Sequence, residues 1–176
     1  MAWSTPTTFV SGNALTAAQM NIISGNLNET APAKATTAGG YFVATGSNAI
    51  AERVGDEQII TTSQTTTSTS FTDLTTVGPE LTVTTATRAL VVVTAQCSND
   101  TSTNSCRMSW AASGATTLAA NDNRCLMLSG TGDTIAGSFV TMYTSFTAGS
   151  NVITAKYRVS GGTGTWLNRR LLVLPY

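Results

Sequence analysis

The chain contains no histidine, and only 10% of its 176 residues are Asp, Glu, Lys or Arg. Histidine is the commonest general base, nucleophile partner and metal ligand, so its absence removes the usual basis for acid–base catalysis and for zinc binding. Nine basic and nine acidic residues give a net charge of zero. We therefore expect no nucleic-acid partner, because no basic face is available to release counterions from phosphates.

Long apolar runs and an export signal are also missing. No stretch of 18 apolar residues exists, and no charged segment followed by an apolar one opens the chain. We therefore expect neither membrane spanning nor Sec-dependent export. Cys97, Cys106 and Cys125 cannot all pair within one chain, and they lack the paired C-x-x-C spacing of zinc sites. We expect buried, reduced thiols, although Cys97 and Cys106 could close a hairpin if oxidised.

The acidic residues do not form a recognisable catalytic pair. A glycosidase needs two carboxylates on either side of the scissile bond, and nothing marks two of the nine as special. Asp122 and Asp133 lie near Asn121, Asn123 and Thr131, which could form a loose calcium site. Turn formation explains these residues better. We expect a protein that is not an enzyme and that uses no metal or cofactor.

Threonine is the residue that the chain has in excess. It accounts for 34 of the 176 residues, while 41% of the chain is apolar. Threonine favours strands because its branched Cβ fits the pleat, and the apolar content is enough for a core. This composition predicts a mainly β protein.

Residues 13–27 form the one segment with helical features. Thr16 and Gln19 fit a capping box, in which the two side chains satisfy two free N–H groups. Leu15 and Met20 have the spacing of a hydrophobic staple, and Gly25 is placed to end the helix in a left-handed conformation. These features predict a helix over residues 17–24.

A helix of this length is too short to be stable alone, so its apolar face must pack on something. Met20 and Ile23 share that face, with Leu27 one turn further on. The face packs either on the β domain of its own chain or on another subunit. Trp3 and Phe9 precede the helix, and water disfavours exposed aromatic rings on a free tail, so we expect them to be buried as well.

The remainder of the chain predicts a linker followed by many short strands. Residues 28–40 are small and polar and contain Pro32, which indicates an extended linker. We place the boundary near residue 56, giving an anchoring arm over residues 1–56 and a β domain over residues 57–176. A hairpin is predicted at residues 41–45 and 49–53. The domain's candidate strands are residues 58–63, 68–74, 81–85, 88–97, 105–111, 124–128, 138–146, 152–160 and 166–174. Eight or nine strands without helices predict an antiparallel β-sandwich, most simply a jelly roll.

Two strands show which faces they bury. In residues 152–160, Ile153, Ala155, Tyr157 and Val159 alternate with polar residues, which predicts one core face and one wet face. Residues 89–93 are apolar at every position, so both faces should be covered, by the second sheet and by a neighbouring element or subunit.

The last strand contains two alternating sets of residues that are both apolar toward the C-terminus. Trp166, Arg170, Leu172 and Leu174 belong to one set, and we expect this set to meet a symmetry mate, with three-fold packing. Coverage by the arm or a loop is the alternative. We interpret Arg169, Arg170 and Arg124 as strand-end or interface charges before any ligand role.

Three stretches resemble a known class of proteins. The opening WSTPTTFVSGNALTAAQMN resembles the N-terminal segment of virion structural proteins from tailed bacteriophages, and TSTSFTDL and WLNRRLLVLPY resemble the β-sandwich domains of such proteins. The resemblance implies a particle component, often trimeric, whose first segment anchors it and whose sandwich projects. The same architecture is shared by head decoration proteins, head fibres and tail fibres.

These observations together predict a capsid decoration or head-fibre protein that is assembled in the host cytoplasm and resides in the virion. Its arm would bind the major capsid protein or another virion protein, and its sandwich would form a homotrimer. The alternative is a tail-fibre module that binds host surface glycan. Trp110 and Trp166 are its candidate platforms, although core packing suits both better.

Overall fold

Strands make up most of the structure, a computed structural model that describes residues 4–5, 8–129 and 133–176. The chain forms two compact units, Met1–Val54 and Gly55–Tyr176. The first unit contains helices α1 (Ala17–Asn28) and α2 (Ala31–Lys34) and an antiparallel hairpin of β1 (Tyr41–Gly46) and β2 (Ala49–Arg53). The second unit holds the remaining strands.

Helix α1 begins as predicted and ends later than predicted. The Gln19 N–H donates to the Thr16 hydroxyl at 3.3 Å, and the Gln19 side-chain oxygen accepts from the Thr16 N–H at 2.9 Å. The helix then continues through Gly25 to Asn28, so the prediction of an end at residue 24 is wrong. Glycine permits a left-handed helix end but does not impose one, and its cost inside a helix is only about 1 kcal/mol. The N–H of Glu29 closes the helix by donating to the carbonyls of Asn26 and Leu27.

The predicted extended linker is also partly helical. Helix α2 occupies part of residues 28–40, and the N–H of Lys34 donates to the Thr30 carbonyl. Beyond α2, the Glu52 carboxylate accepts from the backbone N–H groups of Thr36 and Thr37 at 2.9 and 3.0 Å and from the Thr36 hydroxyl. These hydrogen bonds, led by that of the Thr36 hydroxyl, lower the pKa of Glu52. The segment before the hairpin is therefore fixed by hydrogen bonds to strand β2.

The second unit is a sandwich of two antiparallel sheets. Its strands are β3 (Asp56–Ile60), β4 (Gln64–Thr66), β5 (Glu80–Thr85), β6 (Ala89–Asn99), β7 (Ser105–Gly114), β8 (Leu126–Ser129), β9 (Ile135–Tyr143), β10 (Gly149–Val159) and β11 (Gly164–Pro175). One sheet has the order β3-β11-β6-β9, with β4 also pairing with β11, and the other has the order β5-β10-β7-β8. This topology is that of a jelly roll, in which β3 pairs with β11, β5 with β10, β6 with β9 and β7 with β8. The predicted fold class is confirmed.

The core lies between the two sheets and follows the predicted alternation. Ile153, Ala155, Tyr157 and Val159 of β10 are all fully buried. Ala89, Val91 and Val93 of β6 face them from the other sheet, whereas Leu90 and Val92 point to the outside and are half-buried. Trp110 and Trp166 are both buried in the core. Core packing of the two tryptophans is thus observed, and they do not form a glycan platform.

Several strand boundaries differ from the predictions. Residues 68–74 do not form a strand, although Thr72 makes an isolated bridge with Tyr157, and the short strand β4 precedes them. Strand β9 begins at Ile135 and ends at Tyr143 rather than spanning residues 138–146. A three-residue 3₁₀ turn, Asp122–Arg124, precedes β8. In residues 61–76 the frequent threonine and serine side chains give loops and strands the same composition.

A bulge in β11 determines which of its residues face the core. Pairing with β6 shifts register between Leu167 and Arg170, where Asn168 adopts a positive φ of 50°. The bulge adds one residue to the strand, so Trp166 and Leu171 lie on the same face although an unbroken strand would put them on opposite faces. The prediction that Trp166 shares a subunit interface with Arg170 is therefore wrong: Trp166 packs edge-on against Tyr157, with ring centroids 5.5 Å apart.

Candidate interaction surfaces

The first unit lacks a buried apolar core in its described part. The buried apolar side chains of the described chain all lie between Leu74 and Val173, in the second unit. Asn26 is the one buried residue that the structure describes in the first unit. Its side-chain oxygen accepts from the Ser4 N–H at 2.9 Å, and its amide group donates to the Ser4 carbonyl at 3.0 Å. A polar contact therefore joins the last turns of α1 to the segment that precedes the helix.

A side of α1 that adjoins Asn26 exposes apolar side chains. Met20 is 48% exposed and Leu27 is 61% exposed, while Ile23 between them is half-buried. Positions three and four apart lie on one face of a helix, so these three residues form a stripe. Leu15 and Phe9, before the helix, are each 52% exposed, and Val10, which sequence reasoning missed, is 64% exposed. Trp3, the remaining predicted anchor residue, lies outside the described residues. We call Phe9, Leu15, Met20, Ile23 and Leu27 the anchor stripe.

A second apolar surface covers the outside of the β3-β11-β6-β9 sheet. The cross-strand partners are Leu90 with Met142 and Leu174, and Val92 with Val140 and Leu172. Direct partners on one face of a sheet have Cβ atoms about 4.5–5.5 Å apart, so the six side chains are contiguous. Val140 is 57% exposed and Met142 is 48% exposed, and the other four are half-buried. We call these six residues the outer aliphatic face.

The border of the outer aliphatic face consists of polar side chains that are already paired. Arg170 makes an ion pair with Glu57 at 2.8 Å. The hydroxyls of Thr94 and Ser138 are 2.8 Å apart, and the Asn168 amide donates to Gln96 at 3.1 Å. Arg170, Leu172 and Leu174 thus lie together on this surface, as the sequence predicts, and only Trp166 of the predicted interface set is missing.

The outside of the other sheet is charged. Lys156 makes an ion pair with Asp73 at 2.7 Å, and the Asp122 carboxylate accepts from both Arg107 at 2.8 Å and Arg158 at 2.5 Å. The hydrogen bond from Arg158 lowers the pKa of Asp122 by more than burial raises it, and the hydrogen bond from Arg107 lowers this pKa further. This arrangement uses Asp122 as an ion-pair centre and does not resemble the calcium site considered from sequence.

A shallow cleft of about 340 Å³ lies beside these ion pairs. It is lined by Phe71, Thr72, Asp73, Ala111, Ala119, Ala120 and Lys156. The guanidinium of Arg158 lies 5.4 Å from the centroid of the Phe71 ring. Sequence reasoning missed this cleft because Phe71 lies in a loop that resembles a strand.

The described part of the chain offers no metal centre and no membrane helix. No group of three or more His, Cys, Asp or Glu side chains is placed to hold an ion among the described residues. None of the helices in the described ranges is long and apolar enough to span a membrane.

The fold and its surfaces define a class: a jelly-roll protein with a separate helical unit and two exposed apolar surfaces. Neither protein-family models nor curated protein sequences match the chain.

Proposed function

We propose that this protein is a non-enzymatic structural component of a tailed-phage particle. In this proposal its first unit anchors it to the major capsid protein or another virion protein, and its sandwich decorates or cements the capsid exterior as a trimer. The sequence resemblance of the opening segment and of two sandwich segments to such proteins suggests the particle. The structure adds an observation about the first unit that supports anchoring.

That observation is the contrast between a well-defined helix and the lack of an apolar core beside it. Twelve residues form α1, and a capping box defines its start. Helices of this length are marginal in water without tertiary packing. Burying the anchor stripe against a partner would supply that packing, at roughly 1.5–3 kcal/mol for each large side chain that becomes fully buried. The helix would then lie in a groove of the partner, with anchors spaced three and four residues apart.

The anchoring role can be tested with particles assembled without this protein. The purified full chain should bind them and sediment with them. Met20→Lys and Leu27→Lys should each weaken binding at least tenfold, because a charge would enter a desolvated contact. Asn21→Lys, on an exposed part of the same helix outside the stripe, is the matched control and should bind like the wild type. Absence of the protein from purified virions, or full binding by both stripe variants, would contradict the proposal.

The cleft beside Phe71 favours a second candidate function, recognition of a host surface glycan. An aromatic ring, a Lys–Asp pair and small alanine side chains converge there, which are features of small-molecule sites. The candidate predicts that the full chain binds a host polysaccharide and that Phe71→Ala abolishes this binding. Glycan-array signals that are unchanged in Phe71→Ala would assign binding elsewhere and remove the cleft from consideration.

A further inference from the structure

The two outer surfaces of the sandwich have opposite chemistry. On the β5-β10-β7-β8 side, outward positions carry the ion pairs of Lys156 with Asp73 and of Arg158 with Asp122. On the β3-β11-β6-β9 side, three neighbouring strands carry only aliphatic side chains at the six positions of the outer aliphatic face. An antiparallel sheet that faces water normally alternates apolar and polar residues. We therefore expect the outer aliphatic face to be covered by a partner.

We propose that copies of this chain associate through the outer aliphatic face, with three copies around one axis. This inference rests on the proposed trimeric function and names the surface that forms the trimer. The outer aliphatic face requires a partner surface that is neutral and aliphatic, and the same face of a second copy has these properties. The only ion pair described at the border, Arg170 with Glu57, also provides one charge of each sign, so neighbouring copies could exchange partners there without leaving a charge unpaired.

The size of the surface shows how much of the sheet association must use. Four strands about 4.8 Å apart are roughly 19 Å wide, and four outward rows about 6.8 Å apart extend roughly 27 Å. The outward surface of the whole sheet, aliphatic residues and polar border together, is therefore about 500 Å², and two such surfaces total about 1,000 Å². Specific interfaces bury about 1,200–2,000 Å², so association has to use the full outward surface, including the polar border.

The width of the sheet also fits a three-fold arrangement. Three flat faces roughly 19 Å wide enclose a triangular prism whose sides lie about 5.5 Å from its axis. Packed sheets are about 10 Å apart, so side chains from one sheet fill about 5 Å. Three copies would therefore leave no large void at the axis. In this arrangement, the β9 edge of one copy, with Val140 and Met142, lies beside the β3 edge of the next copy, with Ile59.

The test compares two methionines with similar exposure on opposite sheets. Met142 belongs to the outer aliphatic face and is 48% exposed, while Met127 of β8, on the other sheet, is 55% exposed. Sedimentation velocity over a concentration series should give three times the chain mass of 18.2 kDa for the wild-type protein. Met142→Lys should raise the dissociation constant at least tenfold, and Val140→Lys combined with it should give a monomer. Met127→Lys should remain a trimer.

The measurement uses purified full-length protein without particles, so its outcome does not depend on anchoring. A wild-type protein that is monomeric at all concentrations would overturn the inference. A trimer unaffected by the double substitution would overturn the assignment of the surface, and a dimer would overturn the three-fold arrangement. Circular dichroism and thermal unfolding of each variant verify that it is folded. If Met142→Lys or the double variant does not fold, Val140→Thr on the outer aliphatic face and Met127→Thr on the other sheet provide the comparison. Val140→Thr should then weaken association while Met127→Thr should not, and the reverse order would overturn the inference.

Discussion

The side chain of Asn26 makes two hydrogen bonds with the backbone of Ser4, 22 residues earlier in the chain, at 2.9 and 3.0 Å. An asparagine amide presents a donor and an acceptor side by side, as a neighbouring strand would. The contact thus holds the segment before α1 without apolar burial. Met20 and Leu27, on an adjoining side of the helix, stay exposed and are free for a partner.

Asn26→Ala should release the segment around Ser4. Each lost hydrogen bond contributes about 0.5–1.5 kcal/mol, so hydrogen-exchange protection of the Ser4 amide should fall roughly ten- to hundredfold. The melting temperature of the sandwich should not change. Asn28→Ala, at the exposed end of the same helix, is the control and should leave Ser4 protected. Equal protection in Asn26→Ala would show that the segment is held by other contacts.

Arg169 is the charged side chain whose position was least expected from sequence. It is fully buried, and its guanidinium donates to the carbonyls of Thr62, Thr76 and Gly78 at 3.3 to 3.5 Å. The same guanidinium lies 5.5 Å from the centroid of the Tyr157 ring. The hydroxyl of Tyr157 also donates to Gly78, at 2.8 Å. Arg169 therefore links the loops on both sides of β4 to the core.

Arg169→Met should destabilise the sandwich even though methionine fills similar space. Removing a buried charge recovers desolvation energy, but the carbonyls of Thr62 and Thr76 lose the Arg169 donor and that of Gly78 keeps only the Tyr157 hydroxyl, so we expect a net loss of about 2 kcal/mol. This loss corresponds to a fall of roughly 4–8 °C in Tm. Hydrogen exchange should increase first in residues 62–78. Arg170→Met, at the adjacent exposed position, should change Tm little, and equal effects of the two substitutions would contradict this assignment.

The sequence predicts the sandwich because period-two alternation is local information. Ile153 to Val159 show it directly, and their burial follows once two sheets meet. The bulge at Asn168 is not local in this sense: it depends on how β11 pairs with β6, and one extra residue reverses the face of Trp166. The end of α1 was missed for a related reason, since the hydrogen bonds of Asn26 with Ser4 join residues far apart in sequence. Arg170, Leu172 and Leu174 all follow the bulge, so they keep a common face.

The ion pairs of Asp122 predict a specific loss of stability in acid. Its pKa is lowered below the ordinary value of 3.8 by Arg158 and Arg107. A carboxyl with a lower pKa in the folded chain than in the unfolded chain stabilises the fold above about pH 4 and loses that contribution as the pH falls through its folded pKa. Asp122→Asn should therefore lower Tm at pH 7, by up to about 4 °C for these partly exposed pairs.

The difference between Asp122→Asn and the wild type should shrink as the pH decreases from 5 to about 2, because the wild-type carboxyl is then protonated as well. Thermal unfolding followed by circular dichroism at each pH measures this difference. Asp133→Asn removes the same charge elsewhere in the unit and is the control. A difference that stays constant down to pH 2 would mean that the ion pairs do not stabilise the fold.

Cys97 and Cys106 should be unreactive thiols in the folded protein. Both are buried, on β6 and β7, and the Cys106 thiol donates to the Ser98 carbonyl at 3.1 Å. A hydrogen bond with Cys106, together with burial, raises the pKa of Cys97, so little of its reactive thiolate forms at pH 8. The same hydrogen bond lowers the pKa of Cys106, so its burial between the sheets is what protects the Cys106 thiol. In a Cys125→Ser background, Ellman's reagent should label neither thiol within minutes in buffer and both in concentrated urea. Rapid labelling of the folded chain, at the rate of a free thiol in solution, would show that the two sheets open to solvent near these cysteines.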